Sequence, residues 1–373
     1  MAAILERRRE FRDLDWQTAL CAMAIACFGV WQIHNAAPTE NFWSKQIIGI
    51  GISLVAFVAV CMTDYRRIID AAPVFYAIGL FLLFLVLTPL GAQSHGQKAW
   101  LRLPLIGQFQ PSEFVKIPTV LMLAKYFGSK KGNNLTIREM LIGAAIWGGP
   151  VLLIMLEPDA GQTITYFPLL AAVFFLSGIR IRYVVLAVVV AAVMIPAAWT
   201  IGVRTGKIKF YQQERINAII DPDSVDPKGF GYHTVQSTIT VGKGGLVGIE
   251  GDPETSQSVL KFLPEPHSDF IFAVTAENSG FIGCVSLLLA YAILLSRMIA
   301  GARQATDRAG MLVIMAVVCG MVFQIFMNIG MALGILPVIG VPLPLMSAGV
   351  SAILTTFVAI GFVVSVKLRR FVN

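Results

Sequence analysis

The chain has 373 residues, 56% of them hydrophobic and only 14% charged, with a mean hydropathy of +0.74 and a formal net charge of +7. About a quarter of an ordinary soluble protein is charged, so this composition nearly excludes a soluble globular enzyme. It also excludes a disordered chain, a collagen, a coiled coil and a secreted disulfide scaffold. What remains is an integral membrane protein.

Stretches without Asp, Glu, Lys or Arg occupy 16–39, 46–63, 71–97, 140–156, 160–179, 183–203, 278–296 and 309–366. The last is too long for one helix and is interrupted by Pro337, Pro342 and Pro344, which divides it into two spans and a tight outer loop. The run 111–127 is apolar but carries Glu113, Lys116 and Lys125. Counting it, the pattern predicts an all-α integral membrane protein with ten transmembrane helices. They fall near 16–34, 46–62, 71–90, 111–127, 140–156, 161–179, 183–201, 279–296, 309–333 and 347–366. The chain reads as one polytopic domain, 1–373, with a long loop over 203–268 between spans seven and eight and no internal repeat. Arg7 to Arg9 precede the first apolar run as they would in a signal peptide, but no A-x-A site follows, so a retained signal anchor is expected. All five cysteines (Cys21, Cys27, Cys61, Cys284, Cys319) lie in apolar runs and read as small hydrophobes.

Orientation follows the basic residues. With the N-terminus inside, 18 of the 29 Lys and Arg fall on inner segments, while the short outer loops hold only Lys45, Lys98 and Arg102. Both termini are therefore expected in the cytoplasm, and 203–268 outside. The basic excess is a topology signal that suits anionic lipid headgroups; nucleic acid has no place in this reading.

Charges in or at the edge of hydrocarbon are costly, so each is a functional candidate: Glu113, Lys116, Glu157, Asp159, Asp269 and Glu277. All lie on the outer side of the predicted topology, as do His34, His95, His233 and His267. Glu113 and Lys116 are neighbours three apart on a helix, either as an ion pair that shelters both charges or as a pair that orients substrate and offers Lys116 to a phosphate. Glu157-Pro158-Asp159 is either a solvated turn or part of the same site. Gly242-Lys243-Gly244-Gly245 lacks the Walker spacing and is a weak phosphate signal. Asp269 follows His267-Ser268 and opens an apolar run. It is either part of a helix cap or a partly desolvated general base. These residues suit an enzyme acting on a lipid-linked substrate, or a transporter.

The chain resembles the SEDS family (shape, elongation, division and sporulation). The likeness rests on Phe109-Gln110-Pro111-Ser112-Glu113-Phe114-Val115-Lys116, Pro158-Asp159, Tyr211 to Arg215 and Asp226-Pro227 to Gln236-Ser237. It continues through Phe262 to Phe272 and Asn328-Ile329-Gly330 to Pro342-Leu343-Pro344. The order of these segments against ten spans makes the likeness specific, and the branch it points to is the one that elongates rods. Departures exist: the usual Q-P-D-L-G-T reads Glu157-Pro158-Asp159-Ala160-Gly161-Gln162, and Glu277-Asn278 stands where paired acids are frequent.

The resemblance implies a peptidoglycan glycosyltransferase that polymerises lipid II at the outer face of the cytoplasmic (inner) membrane and releases undecaprenyl diphosphate. The family's essential aspartate maps onto Asp269, and Glu113, Lys116 and Asp159 complete the implied catalytic set. Arg102, Arg215, Lys228, His233, Lys243, His267 and Ser268 are the expected substrate-binding residues. A class B penicillin-binding protein is the implied partner, and membrane lipids surround the chain. No cofactor or metal ligand is assigned, and a divalent cation is left open. The rivals are a flippase for the lipid-linked precursor, which needs a polar path across both leaflets, and a glycosyltransferase with a different acceptor, like an O-antigen ligase.

Overall fold

In the computed structural model the described residues are 15–94, 97–103, 107–130, 132, 134–206, 213, 232–249 and 256–369. They are mostly helical. In chain order they form α1 (Trp16–Ala36), α2 (Phe42–Met62), α3 (Tyr65–Asp70), α4 (Ala72–Leu87), β1 (Gly91–Ser94), β2 (Gln97–Leu103), β3 (Gly107–Phe109) and α5 (Pro111–Gly128). There follow α6 (Ile137–Leu156), α7 (Ala160–Thr165), α8 (Phe167–Leu176), α9 (Ile181–Arg204), α10 (Tyr232–Lys243), α11 (Ile271–Arg303), α12 (Arg308–Ala332) and α13 (Val350–Leu368).

Among the described residues seven helices are long and apolar enough to cross a membrane: α1, α2, α6, α9, α11, α12 and α13. Three of them, α1, α6 and α12, begin at a side chain that satisfies free N–H groups of the first turn. Asp15 Oδ1 accepts from Thr18 N at 3.4 Å before α1, and Asp307 Oδ1 from Gly310 N at 2.6 Å before α12. Thr136 and Glu139 form a capping box at the start of α6. Three further expected spans have a different form. α4 is shorter than its expected 71–90, α5 carries three charges, and 161–179 is divided into α7 and α8 at Tyr166, with Pro168 entering the second piece.

α5 explains how a charged helix lives in this protein. It packs against α4, α6, α8, α12 and α13, and its first half is buried almost completely. Glu113 and Lys116 therefore face protein rather than lipid, the setting in which intramembrane charge is tolerated. α9 is the opposite case, since Gly202 is its one buried residue.

Two smaller features join this helical frame. β1, β2 and β3 form a short antiparallel sheet in the connection before α5, with Leu101 opposite both Gly91 and Phe109. In Lys98-Ala99-Trp100-Leu101-Arg102-Leu103 every second residue (Ala99, Leu101, Leu103) is apolar while Lys98 and Arg102 fall on the other face, the period of a strand, and Ala99 is buried. The loop 203–268 also contains helix α10, which lies against α11.

The span expected at 279–296 begins earlier and is broken. α11 runs from Ile271 to Arg303, with Gly280 inside it at φ 63° and ψ −165°. A residue with a Cβ is strained there, and a Cβ would also fall 2.4–2.5 Å from the backbone of Leu246 and Gly248. The segment after α10 fills the break and takes over its hydrogen bonds. Phe281 N donates to Gly245 O at 2.9 Å, Ile282 N to Leu246 O at 3.1 Å, and Ile249 N to Glu277 O at 2.9 Å. Irregular backbone is viable in a membrane protein only when protein satisfies it. Within Gly242–Gly245, Gly244 is the close-packing residue, because a Cβ on it would lie 1.8 Å from Ala276 O.

Candidate active site

The site is built from the start of α5, the turn between α6 and α7, and the chain leading into α11. Gln110 precedes α5 and Pro111 occupies its first turn, where a missing N–H costs nothing. One turn on, Lys116 Nζ donates to Glu113 Oε2 at 3.0 Å, with the residues 9% and 3% exposed. The other Glu113 oxygen accepts from Gln162 Nε2 at 2.6 Å.

Gln162 lies in α7, whose cap is Asp159. Asp159 Oδ1 accepts from Gln162 N at 2.9 Å and Oδ2 from Gln110 Nε2 at 3.0 Å. Glu113, Lys116, Asp159, Gln110 and Gln162 therefore form one buried network joining α5 to α7. Ser351 Oγ accepts from Gln110 N at 3.0 Å and ties α13 to it. Burial raises the Asp159 carboxyl and Glu113 pushes the same way; its bonds to Gln162 and Gln110 pull against them.

Glu157 lies two residues away and has no such partners. It is buried, and neither carboxylate oxygen has a hydrogen bond among the described residues. Burial, helped by the charge of Asp159, pushes it up to about 8.

Asp269 sits just before α11 and is held by its backbone. Asn328 Nδ2 donates to Asp269 O at 2.9 Å and to Val341 O at 2.8 Å, linking Asp269 to the turn after α12. Ser347 Oγ donates to Ser268 O at 2.6 Å, and Ala348 N to His267 O at 2.8 Å. Gly340, at φ 71°, faces the carboxylate: a Cβ on it would be 3.2 Å from Asp269 Oδ2. On the other side of this turn, a Cβ on Gly161 would be 2.3 Å from Ile339 O. The 339–340 backbone is thus sandwiched between Asp269 and the helix that Asp159 caps.

The remaining expected residues divide. His267 stacks on Phe42 at 3.8 Å and 16° and lies 3.6 Å from Glu265. His233, on α10, is 6.5 Å from the Phe270 ring. Lys243 ends α10, and Arg102 is exposed on β2 opposite Gln108. Arg215 and Lys228 lie outside the described residues. Sequence reasoning gave no role to Gln110, Gln162, Asn328, Ser347 or Gly340. Their signal is polarity, or a bare backbone, inside otherwise apolar stretches. Among the described residues no group of three His, Cys, Asp or Glu side chains is arranged to hold a metal ion.

Residues 15–370 match the FtsW/RodA/SpoVE family of cell cycle proteins. The chain belongs to that family. Its relatives include the peptidoglycan glycosyltransferase MrdB of Escherichia coli strain K12, 36% identical over 96% of this chain and 94% of MrdB. Stage V sporulation protein E of Bacillus subtilis strain 168 is 31% identical over 92% of each chain. Among solved structures, a chain from a peptidoglycan synthase complex whose polymerization and crosslinking are coordinated superposes with a TM-score of 0.82 at 30% identity. That match covers 96% of this chain and 99% of the other. The rod shape determining protein RodA of Thermus thermophilus superposes at 0.72 with 25% identity, over 96% of this chain and 98% of RodA. The family member is a multi-pass membrane protein with its polar network gathered at the α5–α7 end.

Proposed function

We propose that this protein is a peptidoglycan glycosyltransferase of cell-wall elongation, polymerising lipid II with release of undecaprenyl diphosphate. A relative at 36% identity is named a peptidoglycan glycosyltransferase, and one at 30% a probable peptidoglycan glycosyltransferase. The observation that carries the reading at the level of chemistry is the approach of Asp269 to the 339–340 turn, whose far side meets the helix capped by Asp159.

The 4-hydroxyl of an acceptor sugar attacks the anomeric carbon of a lipid-linked donor, and the diphosphate departs. A sugar hydroxyl is a weak nucleophile, and a positioned base contributes about 10²–10⁴-fold. Asp269 is that base. The leaving diphosphate gathers negative charge and needs fixed cations. Lys116 is the best supported, with Arg102, Arg215, Lys228 and Lys243 as further candidates from the outer segments. Glu113 fixes the Lys116 ammonium, and Asp159 holds Gln110 and Gln162 around the pair. His233, His267 and Ser268 line the approach to Asp269 from the loop side. Polyprenyl tails lie between the spans, which accounts for so apolar an enzyme of sugars.

In this reading ten helices cross the cytoplasmic membrane, both termini are cytoplasmic and the site opens outward. A class B penicillin-binding protein docks alongside and cross-links the strand. The crossing number is tested with reporter fusions at each connection.

The chemistry is tested with purified Asp269→Ala and Asp269→Asn, given lipid II together with the penicillin-binding partner. Loss of polymer from correctly folded protein is expected; polymerisation near wild-type rates refutes the base assignment. Polymer formed in detergent, where no membrane sides exist, separates this reading from a flippase.

A further inference from the structure

Glu277 is a buried charge that the reaction above leaves unused. It lies eight residues after Asp269, on the first leg of α11, and is 0% exposed. No cation among the described residues lies within 4 Å of it, and its partners are four neutral donors from one short segment. Gln257 N donates to Oε1 at 2.6 Å. Oε2 accepts from Ser256 Oγ at 3.0 Å and Ser258 Oγ at 2.8 Å, with Ser258 N at 3.4 Å. A buried carboxylate pays a desolvation penalty that apolar packing would avoid. Its use here therefore points to where it holds the chain.

The clasped segment leads directly to the site. Gln257 O accepts from Phe262 N at 3.0 Å and Leu263 N at 3.3 Å, and Leu263 is buried. Within these ties Lys261 adopts φ 60°, and beyond them Glu265 adopts φ 45°. Side chains seldom occupy that left-handed region, and they persist there only when their surroundings over-determine the backbone. Beyond Glu265, Ser268 N and Phe270 N donate back to Glu265 O at 3.2 and 3.5 Å. The path from Glu277 to Asp269 is therefore a continuous hydrogen-bonded strap that leaves α11 at one end and rejoins it at the other.

We propose that Glu277 is a positioning residue: by clasping residues 256–258 it fixes the strained 261–268 strap and thereby aims Asp269 at the acceptor hydroxyl. This rests on the reading of Asp269 as the base.

The test uses the full chain with its penicillin-binding partner and lipid II, comparing Glu277→Leu, Glu277→Gln and the double variant Ser256→Ala/Ser258→Ala. Two quantities are read: kcat and KM for polymerisation, and the rate of tryptic cleavage after Lys261, whose side chain is 77% exposed. A small misplacement of a catalytic group costs about 10²-fold. Glu277→Leu is therefore expected to lower kcat about 100-fold, with KM within a few-fold and cleavage after Lys261 faster than in wild type. Glu277→Gln keeps the shape but loses an acceptor, and falls between. The serine double variant opens the clasp without touching Glu277 and reports even where Glu277→Leu fails to fold.

Faster cleavage with an unchanged kcat overturns the proposal, as does a lowered kcat with Lys261 fully protected. A loss of activity that merely follows the loss of folded protein also overturns it. Asp269→Asn separates the two claims. It is expected to abolish activity with Lys261 protection unaltered; if it polymerises at wild-type rates, the base reading itself fails while the cleavage rates still report the clasp.

Discussion

Lys116→Met removes a charge while nearly preserving side-chain length, so it isolates what the ion pair contributes. Glu113 is 3% exposed and would keep one neutral hydrogen bond, from Gln162 Nε2 at 2.6 Å, after losing the ammonium at 3.0 Å. Removing one partner of a buried pair typically costs about 3–5 kcal/mol. The remaining bond and the 11% exposure of the Lys116 side chain place this case near the lower bound. Unfolding entropy of about 2.1 cal/mol/K per residue, over 373 residues, is about 0.8 kcal/mol/K. A loss of about 3 kcal/mol then lowers the melting temperature by about 4 °C. The double variant Glu113→Gln/Lys116→Met removes both charges of the pair and should recover to within about 1 kcal/mol of wild type. Scanning calorimetry in detergent measures both, and lipid II polymerisation is followed in parallel. If Lys116 faces the diphosphate, neither variant regains activity, and the deficit is about 10²–10³-fold. A Lys116→Met protein melting with wild type refutes the shielding argument. A double variant polymerising at the wild-type rate removes Lys116 from the reaction.

Glu157 provides a pH test. Its carboxyl is raised from an unfolded value of about 4.3 to about 8. It therefore costs no stability below pH 4, and an increasing amount as pH rises toward 8. Glu157→Gln should melt higher than wild type at pH 8, by a margin on the order of 5 kcal/mol, and match it at pH 4; an equal margin at both values refutes the buried charge. Asp15 runs the other way. Burial raises its carboxyl, but hydrogen bonds from Lys367, Thr18 and Arg297 outweigh burial and hold it at about 2. Its contribution is complete above the unfolded value and disappears as pH falls through about 2. Asp15→Asn should thus lose at least about 2 kcal/mol at pH 7, narrowing toward pH 2 in the same calorimetric series. Gly161→Ala would drive a methyl toward Ile339 O, 2.3 Å from the ideal position, and displace the turn that faces Asp269. Polymerisation is expected to fall about 10²-fold, and an unaffected rate would show that the turn does not support the site.

Much of the helical framework is legible in the amino-acid order because lipid enforces long charge-free runs. Spans expected at 309–333 and 347–366 appear at Arg308–Ala332 and Val350–Leu368, within three residues at each end. Glu113, Lys116 and Asp159 stand out for the complementary reason, since charge in such a chain demands an explanation, and the fold joins them. What stays hidden is contact between distant segments of modest composition. Gln110 and Gln162 are ordinary amides until α5 and α7 meet. Gly244, part of what reads only as a weak phosphate signal, shows its role when it packs against Ala276 beside the break at Gly280. The strands of 91–109 are short, and their alternation is diluted by the apolar runs on both sides.

The break at Gly280 has a mechanical consequence. Residues 271–278 are wholly enclosed by protein, whereas Phe281, Ile282, Leu288, Leu289 and Ile293 beyond it face outward. An unbroken rod would transmit every tilt of its greasy half to Asp269. The break, closed by main-chain bonds to 245–249, lets the lipid-facing half follow changes in bilayer thickness while the enclosed leg stays level.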